Sequence, residues 1–232
     1  MKHKRLIHPA ALSLLLTIIV AILSWIGGIY GWNGVNNMLC GEGLRYGLHS
    51  ATSVYVDCPF LGPVLFMSFG IGLFNHSRLW KLCTELFKGI RKPSRKERRA
   101  AAFAIIYACL YILLMALLAF GPSHIVRSVT GSLSGSALAS GSWLLLAFGI
   151  GSMSVVYAYA VDFYKSHFDI VLGMAHGVRI FGSYFVTLFF VCQLFSVVSY
   201  TGIVHPLSIP DDWVTYIYYI CCLLPLAMKS EK

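Results

Sequence analysis

The sequence predicts an all-α polytopic membrane protein, and three observations lead to that fold class. Its 232 residues are 58% hydrophobic and only 12% charged, whereas about 25% of the residues of soluble proteins are charged. The mean hydropathy is +0.74, and the charged residues cluster between long uncharged stretches. A chain of this size has too little interior to bury so much apolar surface. Soluble enzymes, nucleic-acid-binding domains and disordered proteins are therefore excluded.

The uncharged stretches predict six transmembrane helices in a single membrane domain, residues 1–232. A hydrocarbon core of about 30 Å requires roughly 17–25 helical residues. The predicted spans are residues 10–32, 59–77, 100–121, 142–164, 180–204 and 213–228. The apolar run of the first span is longer than a signal-peptide core, so we expect it to remain as an uncleaved helix.

The basic residues predict that both termini lie in the cytoplasm. With six spans, all of the 18 Lys and Arg residues except Arg45 and Arg127 fall on the side of the termini, as the positive-inside rule requires. Nine of them lie in the basic loop 78–99, which we expect to face anionic lipid headgroups and not nucleic acid. Within this loop, Ser94 and Glu97 have the spacing of a capping box at the start of the third helix.

The connections on the other side of the membrane contain one predicted helix. In the first outer loop, residues 33–58, four apolar residues recur at helical spacing: Leu44, Leu48, Ala51 and Tyr55. This pattern fits a helix in the membrane interface or a solvated helix packed on the bundle. Cys40 and Cys58 of this loop would lie in an oxidising compartment, where a disulfide between them is possible. Residues 131–142, rich in Gly and Ser, predict a further outer loop.

Two polar residues in the predicted spans are the candidate ion-coupling residues. Asp162 lies near the inner end of the fourth span, where an ionisable group suggests a function; its alternative role is interfacial pairing with Lys165. Gln193 lies in the fifth span, and its alternative role is a helix–helix hydrogen bond. Gly173 and Gly177 form a small-residue pair that is typical of close helix crossings.

Catalytic and metal-binding motifs are absent from the sequence. The eight histidines are scattered without paired Cys/His spacing, so the pattern predicts no metal site. No nucleophile elbow, phosphate-binding loop or pair of catalytic carboxylates is recognisable. The sequence therefore predicts neither an enzyme nor a bound cofactor.

Several motifs, taken in order, resemble those of one transporter family. The first helix ends in Ser24–Gly27, and residues 36–46 read Asn-Asn-Met-Leu-Cys-Gly-Glu-Gly-Leu-Arg-Tyr. Further matching segments are Phe60–Leu65, Gly70–Leu73, Thr130–Leu133, Lys165–Ser166, Asp169–Val171, Gly182–Tyr184 and Gln193–Phe195. Together they resemble the p-aminobenzoyl-glutamate transporter (AbgT) family over most of helices 1, 2, 4 and 5.

This resemblance implies a multi-pass protein of the bacterial cytoplasmic (inner) membrane. Its function would be secondary transport of p-aminobenzoyl-glutamate or a similar aromatic, anionic solute with a coupling ion. Family members are much longer, and the parts absent here include the re-entrant hairpins of their transport core. The alternative is therefore a non-transporting scaffold or partner subunit derived from the family's scaffold portion. Besides the lipid bilayer, we expect a second copy or a partner membrane subunit to bind the chain, and no substrate-binding residue is assigned.

Overall fold

The computed structural model describes residues 8–89, 93–120, 136–207 and 210–227, and no strand occurs among them. The helices are α1 (Pro9–Ile29), α2 (Gly41–Val56), α3 (Leu61–His76), α4 (Leu79–Phe87), α5 (Arg95–Phe120), α6 (Ala137–Ala160), α7 (His167–Thr201) and α8 (Asp211–Ala227). A short 3-10 turn, His205–Leu207, precedes α8. The prediction of an all-α fold is confirmed.

Four of these helices, α1, α5, α6 and α7, are long and apolar enough to cross a membrane. A fifth span results if α2 and α3, which qualify only as a broken pair, are counted together. The protein is thus a polytopic helical membrane protein with four or five candidate spans in the described residues, against six predicted. The second and sixth predicted spans correspond to α3 and α8, of 16 and 17 residues. At about 1.5 Å per residue, neither reaches the roughly 30 Å of the hydrocarbon core.

The start of α5 confirms the predicted capping box. The Glu97 amide donates to Ser94 Oγ at 3.2 Å, and the Ser94 amide donates to Glu97 Oε2 at 2.7 Å. This reciprocal pair satisfies two amides that have no partner within the helix. It explains why α5 begins at Arg95, ahead of the uncharged stretch.

One helix was not predicted from the sequence, and another begins earlier than predicted. The helix α4 lies within the predicted basic loop 78–99. The helix α7 has 35 residues and begins at His167, well before the predicted fifth span. Asp169 Oδ2 accepts the amides of Lys165 and Ser166 at 2.8 and 3.0 Å, and this cap starts the helix early.

The chain divides into two compact units, where the sequence analysis predicted a single domain. The first unit contains residues 1–61 and 182–232, with α1, α2, the C-terminal half of α7, and α8. The second contains residues 62–181, with α3 to α6 and the beginning of α7. Most of the predicted outer loop 131–142 lies outside the described residues, and so do several basic residues used to predict topology: Lys2, Lys4, Arg5, Arg91, Lys92, Arg127, Lys229 and Lys232.

In the first unit, α2 confirms the helix predicted for the outer loop, but only part of its predicted apolar stripe packs on the unit. Leu44 and Leu48 are 55% and 83% exposed, whereas Ser50 is buried. Leu44 and Leu48 of the predicted stripe therefore point away from the unit, whereas Ala51 and Tyr55 are half-buried. The helix packs on α7 through both hydroxyl and aromatic side chains.

In the second unit, glycines allow three helices to cross closely. A Cβ on Gly70 of α3 would lie 2.7 Å from the carbonyl oxygen of Ala147 in α6. A Cβ on Gly72 would lie 2.5 Å from the amide nitrogen of Gly177 in α7. The close crossing predicted from Gly173 and Gly177 is confirmed, and it lies within one chain.

Candidate functional site

Buried thiols and phenols gather where the chain breaks between α2 and α3. Cys58 lies in this break, and Tyr218 of α8 donates its hydroxyl to Cys58 Sγ at 3.2 Å. The same hydroxyl lies 3.6 Å from Cys192 Sγ in α7. Cys222 is fully buried beside Cys58 and Cys192. Together with Tyr184, these four residues form the phenol–thiol cluster, which belongs entirely to the first unit.

The hydroxyl of Tyr184 is the unusual member of this cluster. The residue is only 5% exposed, and its Oη has no hydrogen-bond partner among the residues that the structure describes. A buried polar group without a partner costs about 1–3 kcal/mol, so native proteins rarely retain one without a reason. The three cysteines and Tyr55 are the ionisable groups around it. Tyr184 can therefore donate a hydrogen bond to a ligand from within an aromatic, sulfur-lined environment.

The packing of α2 on α7 positions the cluster. The rings of Tyr46 and Tyr200 stack with their centroids 4.4 Å apart. Further along the pair, Ser196 Oγ donates to Ser50 Oγ at 3.3 Å. The Tyr55 hydroxyl then donates to the carbonyl of Phe185 at 3.3 Å. These contacts fix the end of α2, and with it the break that contains Cys58.

Gln193 takes part in the same helix pair. Its Nε2 donates to the carbonyl oxygen of Ala51 in α2 at 2.8 Å. The side chain therefore performs the helix–helix role that the sequence analysis considered beside ion coupling.

The prediction that Asp162 lies inside a transmembrane helix is wrong. The helix α6 ends at Ala160, and Asp162 follows in the connection with φ +60°. Its side chain is 74% exposed and forms an ion pair with Lys96 of α5, not with Lys165 as the alternative had it. The hydrogen bond and charge of Lys96 lower the pKa of the Asp162 carboxyl below its ordinary value. The burial that suggested ion coupling is therefore missing.

The possible disulfide between Cys40 and Cys58 is also contradicted. Both residues are free thiols, and the 16-residue helix α2 separates them. Such a helix is about 24 Å long, whereas disulfide-bonded Cα atoms lie roughly 4.4–6.8 Å apart. Cys40 instead caps α2, since its Sγ accepts the Gly43 amide at 3.4 Å.

A second group of ionisable residues lies in the second unit. His76 Nδ1 and the Tyr164 hydroxyl are 3.0 Å apart, and the rings of His76 and His176 have centroids 5.9 Å apart. Asp169 interacts electrostatically with His76. Burial raises the pKa of Tyr164 to about 12, so the phenol remains a neutral hydrogen-bonding group. The sequence did not reveal that the two histidines lie together, because nothing in their separation along the chain links them.

Across the described ranges, no group of three or more His, Cys, Asp and Glu residues is arranged to hold a metal ion. Comparison of the chain with protein-family models, with curated proteins and with solved structures gives no match. The resemblance to p-aminobenzoyl-glutamate transporters remains a prediction from the sequence motifs.

Proposed function

We propose that this membrane protein is a secondary transporter related to the p-aminobenzoyl-glutamate family. Its location would be the bacterial cytoplasmic membrane, and its solute p-aminobenzoyl-glutamate or a similar aromatic anion. The observation that carries the proposal is the break between α2 and α3, with the unpaired Tyr184 hydroxyl in the cluster beside it. Secondary transporters commonly form substrate sites from interrupted helices, where backbone and side-chain polar groups can face a cavity.

The chemistry of the cluster fits such a solute. The Tyr184 hydroxyl can donate to a carboxylate or amide oxygen of the substrate. Aromatic rings of the first unit, such as Tyr55 and Phe189 with their edge-to-face contact at 5.4 Å, can pack against a benzoyl ring. Opening of the cluster would be required before a solute could enter.

The coupling ion would bind at residues other than the two candidates from the sequence analysis. Asp162 is paired at the surface and Gln193 joins two helices. His76 and His176 are better candidates, since imidazoles change charge near physiological pH. Tyr164, within hydrogen-bond distance of His76, and Asp169, which interacts electrostatically with it, can stabilise a proton on the His76 ring.

The proposal is tested by uptake of labelled p-aminobenzoyl-glutamate into liposomes containing the purified protein, with and without an ion gradient. We expect gradient-dependent uptake that Tyr184→Phe lowers roughly tenfold, about the effect of losing one hydrogen bond to a charged group. Tyr216→Phe is the matched control, because Tyr216 belongs to the same unit but is 65% exposed. Folded, inserted protein that takes up no solute would contradict the proposal.

The second candidate function is a non-transporting scaffold or partner subunit. It is favoured by α5, which packs through buried alanines while most of its large apolar side chains, among them Ile105 and Ile112, are more than half exposed. Such a face can bind a second copy or another membrane subunit. A scaffold would co-purify with a stoichiometric partner from its native membrane and would show no uptake. Solute movement by the purified chain alone would exclude it.

A further inference from the structure

The helix α4 has one buried face, which fixes its position on the unit. Leu79 and Leu82 are 5% and 7% exposed, and they pack in a cluster with Ala100 and Ala104 of α5. These two alanines belong to the first apolar turns of α5, a candidate span. Therefore α4 lies at the level where α5 would enter the bilayer.

The remaining surface of α4 divides into an aromatic face and a basic face. At about 100° per residue, residues seven apart lie on the same face of a helix. Trp80 and Phe87 have this spacing and are 55% and 94% exposed. Lys81 and Lys88 are also seven residues apart; each directly follows one of the two aromatic residues, and both are exposed. The aromatic face therefore lies between the buried face and the ammonium groups, and the Trp80 ring also meets Phe74 edge-to-face with centroids 5.9 Å apart.

The neighbouring turn of α5 extends the positive charge. Arg95, Arg98 and Arg99 are all exposed. Between residues 78 and 99 the sequence contains nine Lys and Arg residues and only two acidic residues, Glu85 and Glu97. Glu85 is engaged with Lys81 along α4, with Oε1 and Nζ 3.9 Å apart. A partner with negative charge complements this surface.

We propose that α4 and the first turn of α5 form a binding surface for anionic phospholipids in the leaflet that this end of α5 enters. Trp80 and Phe87 lie at the boundary between acyl chains and headgroups, where aromatic side chains are preferred. Lys81 and Lys88 reach the phosphates of the same lipids, as basic residues next to a span do. The surface requires no transport activity, so the proposal is independent of the proposed function.

The role of the positive charges of Lys81 and Lys88 is tested by measuring which lipids the protein retains. The full chain is reconstituted in nanodiscs of equal parts phosphatidylcholine and phosphatidylglycerol, extracted gently, and its retained lipids are identified by native mass spectrometry. We expect enrichment of phosphatidylglycerol, which Lys81→Gln with Lys88→Gln lowers by roughly tenfold or more, because both ammonium groups lose their attraction to the anionic headgroups. Lys81→Arg with Lys88→Arg should keep the enrichment, and Arg45→Gln on the exposed face of α2 should not change it.

Fluorescence quenching tests whether Trp80 lies next to anionic phospholipids. Trp25, Trp32, Trp143 and Trp213 are replaced by Phe, so that Trp80 is the only indole in the chain. We expect stronger quenching of Trp80 by brominated phosphatidylglycerol than by brominated phosphatidylcholine, and loss of that difference in the Lys81→Gln, Lys88→Gln variant.

Equal quenching by both lipids, or enrichment that is unchanged in the glutamine variant, would overturn the proposal. A co-purifying protein that shields Trp80 from both brominated lipids would also overturn it and would assign this surface to a protein partner. The quenching readout also detects a variant that no longer inserts, because Trp80 would then be insensitive to both lipids.

Discussion

Gly72 of α3 and Gly177 of α7 meet with their backbones in contact. A Cβ on Gly72 would lie 2.5 Å from the Gly177 nitrogen, and a Cβ on Gly177 would overlap the carbonyl oxygen of Ser68. Helices without Cβ atoms at the crossing approach closely enough for van der Waals contact along their backbones. This crossing joins α3 to the beginning of α7 in the second unit.

The first prediction is that Gly177→Ala destabilises the protein by about 1–3 kcal/mol, because backbone atoms must move to admit the methyl group. The measurement is thermal unfolding in detergent micelles. Gly182→Ala in the same helix is the matched control, because a Cβ there meets nothing within 4 Å. It should be neutral or stabilising by about 0.5–1 kcal/mol. Equal effects of the two substitutions would contradict the close crossing.

A second prediction concerns the capping box of α5. Ser94→Ala removes the acceptor of the Glu97 amide and should cost about 0.5–2 kcal/mol of stability. Ser142→Ala serves for comparison, since its hydroxyl only returns to the Ala139 carbonyl within α6. Chemical or thermal unfolding monitored by circular dichroism gives both values. The capping role is wrong if Ser142→Ala costs as much as Ser94→Ala.

The third prediction separates the two roles considered for Gln193. Gln193→Leu breaks the hydrogen bond to the Ala51 carbonyl and should destabilise the protein by about 0.6 kcal/mol, at most about 1.7 kcal/mol. Ser199→Ala, at an exposed position of the same helix, should leave stability unchanged. Any solute uptake should keep its dependence on the ion gradient. Loss of that dependence with unchanged stability would restore Gln193 as an ion-coupling residue.

The fourth prediction follows from the ion pair of Asp162 and Lys96. Because the folded protein holds the Asp162 pKa below its ordinary value, the carboxylate adds stability above the unfolded pKa of about 3.9. This contribution is lost as the pH falls through the folded pKa. Asp162→Asn should therefore lower the melting temperature slightly at neutral pH but not in strong acid. The charge-swapped pair, Asp162→Lys with Lys96→Asp, should recover part of the loss if the two groups interact directly.

Local chemistry in the sequence was enough to predict several elements of the fold. Ser94 and Glu97 are three residues apart, so their reciprocal capping hydrogen bonds can be inferred from a short stretch of sequence. The same Ser-x-x-Asp spacing at Ser166 and Asp169 contained the signal for the early start of α7, but the predicted span began only after Arg179, where the uncharged stretch starts. Helix starts are readable because they depend on neighbours within one turn.

The candidate site depends on contacts that no local pattern encodes. Tyr184 and Cys58 are brought together by the packing of α2 on α7, and the unpaired hydroxyl appears only when that packing is known. Asp162 was misplaced because an uncharged stretch continued to it, although the helix ends two residues earlier. Hydropathy locates apolar segments but does not locate the turn at which a helix stops.

The buried alanines of α5 constrain how this sequence can diverge during evolution. Ala100, Ala104 and Ala119 are almost completely buried, and any larger side chain there would push α5 from its neighbours. The isoleucines and leucines on the opposite side need only remain apolar, so mutation can exchange them freely. Among distant descendants of one ancestor, we therefore expect the small residues to persist while the large ones change. Homologous sequences would then be recognised by the positions of their small residues, not by their large apolar ones.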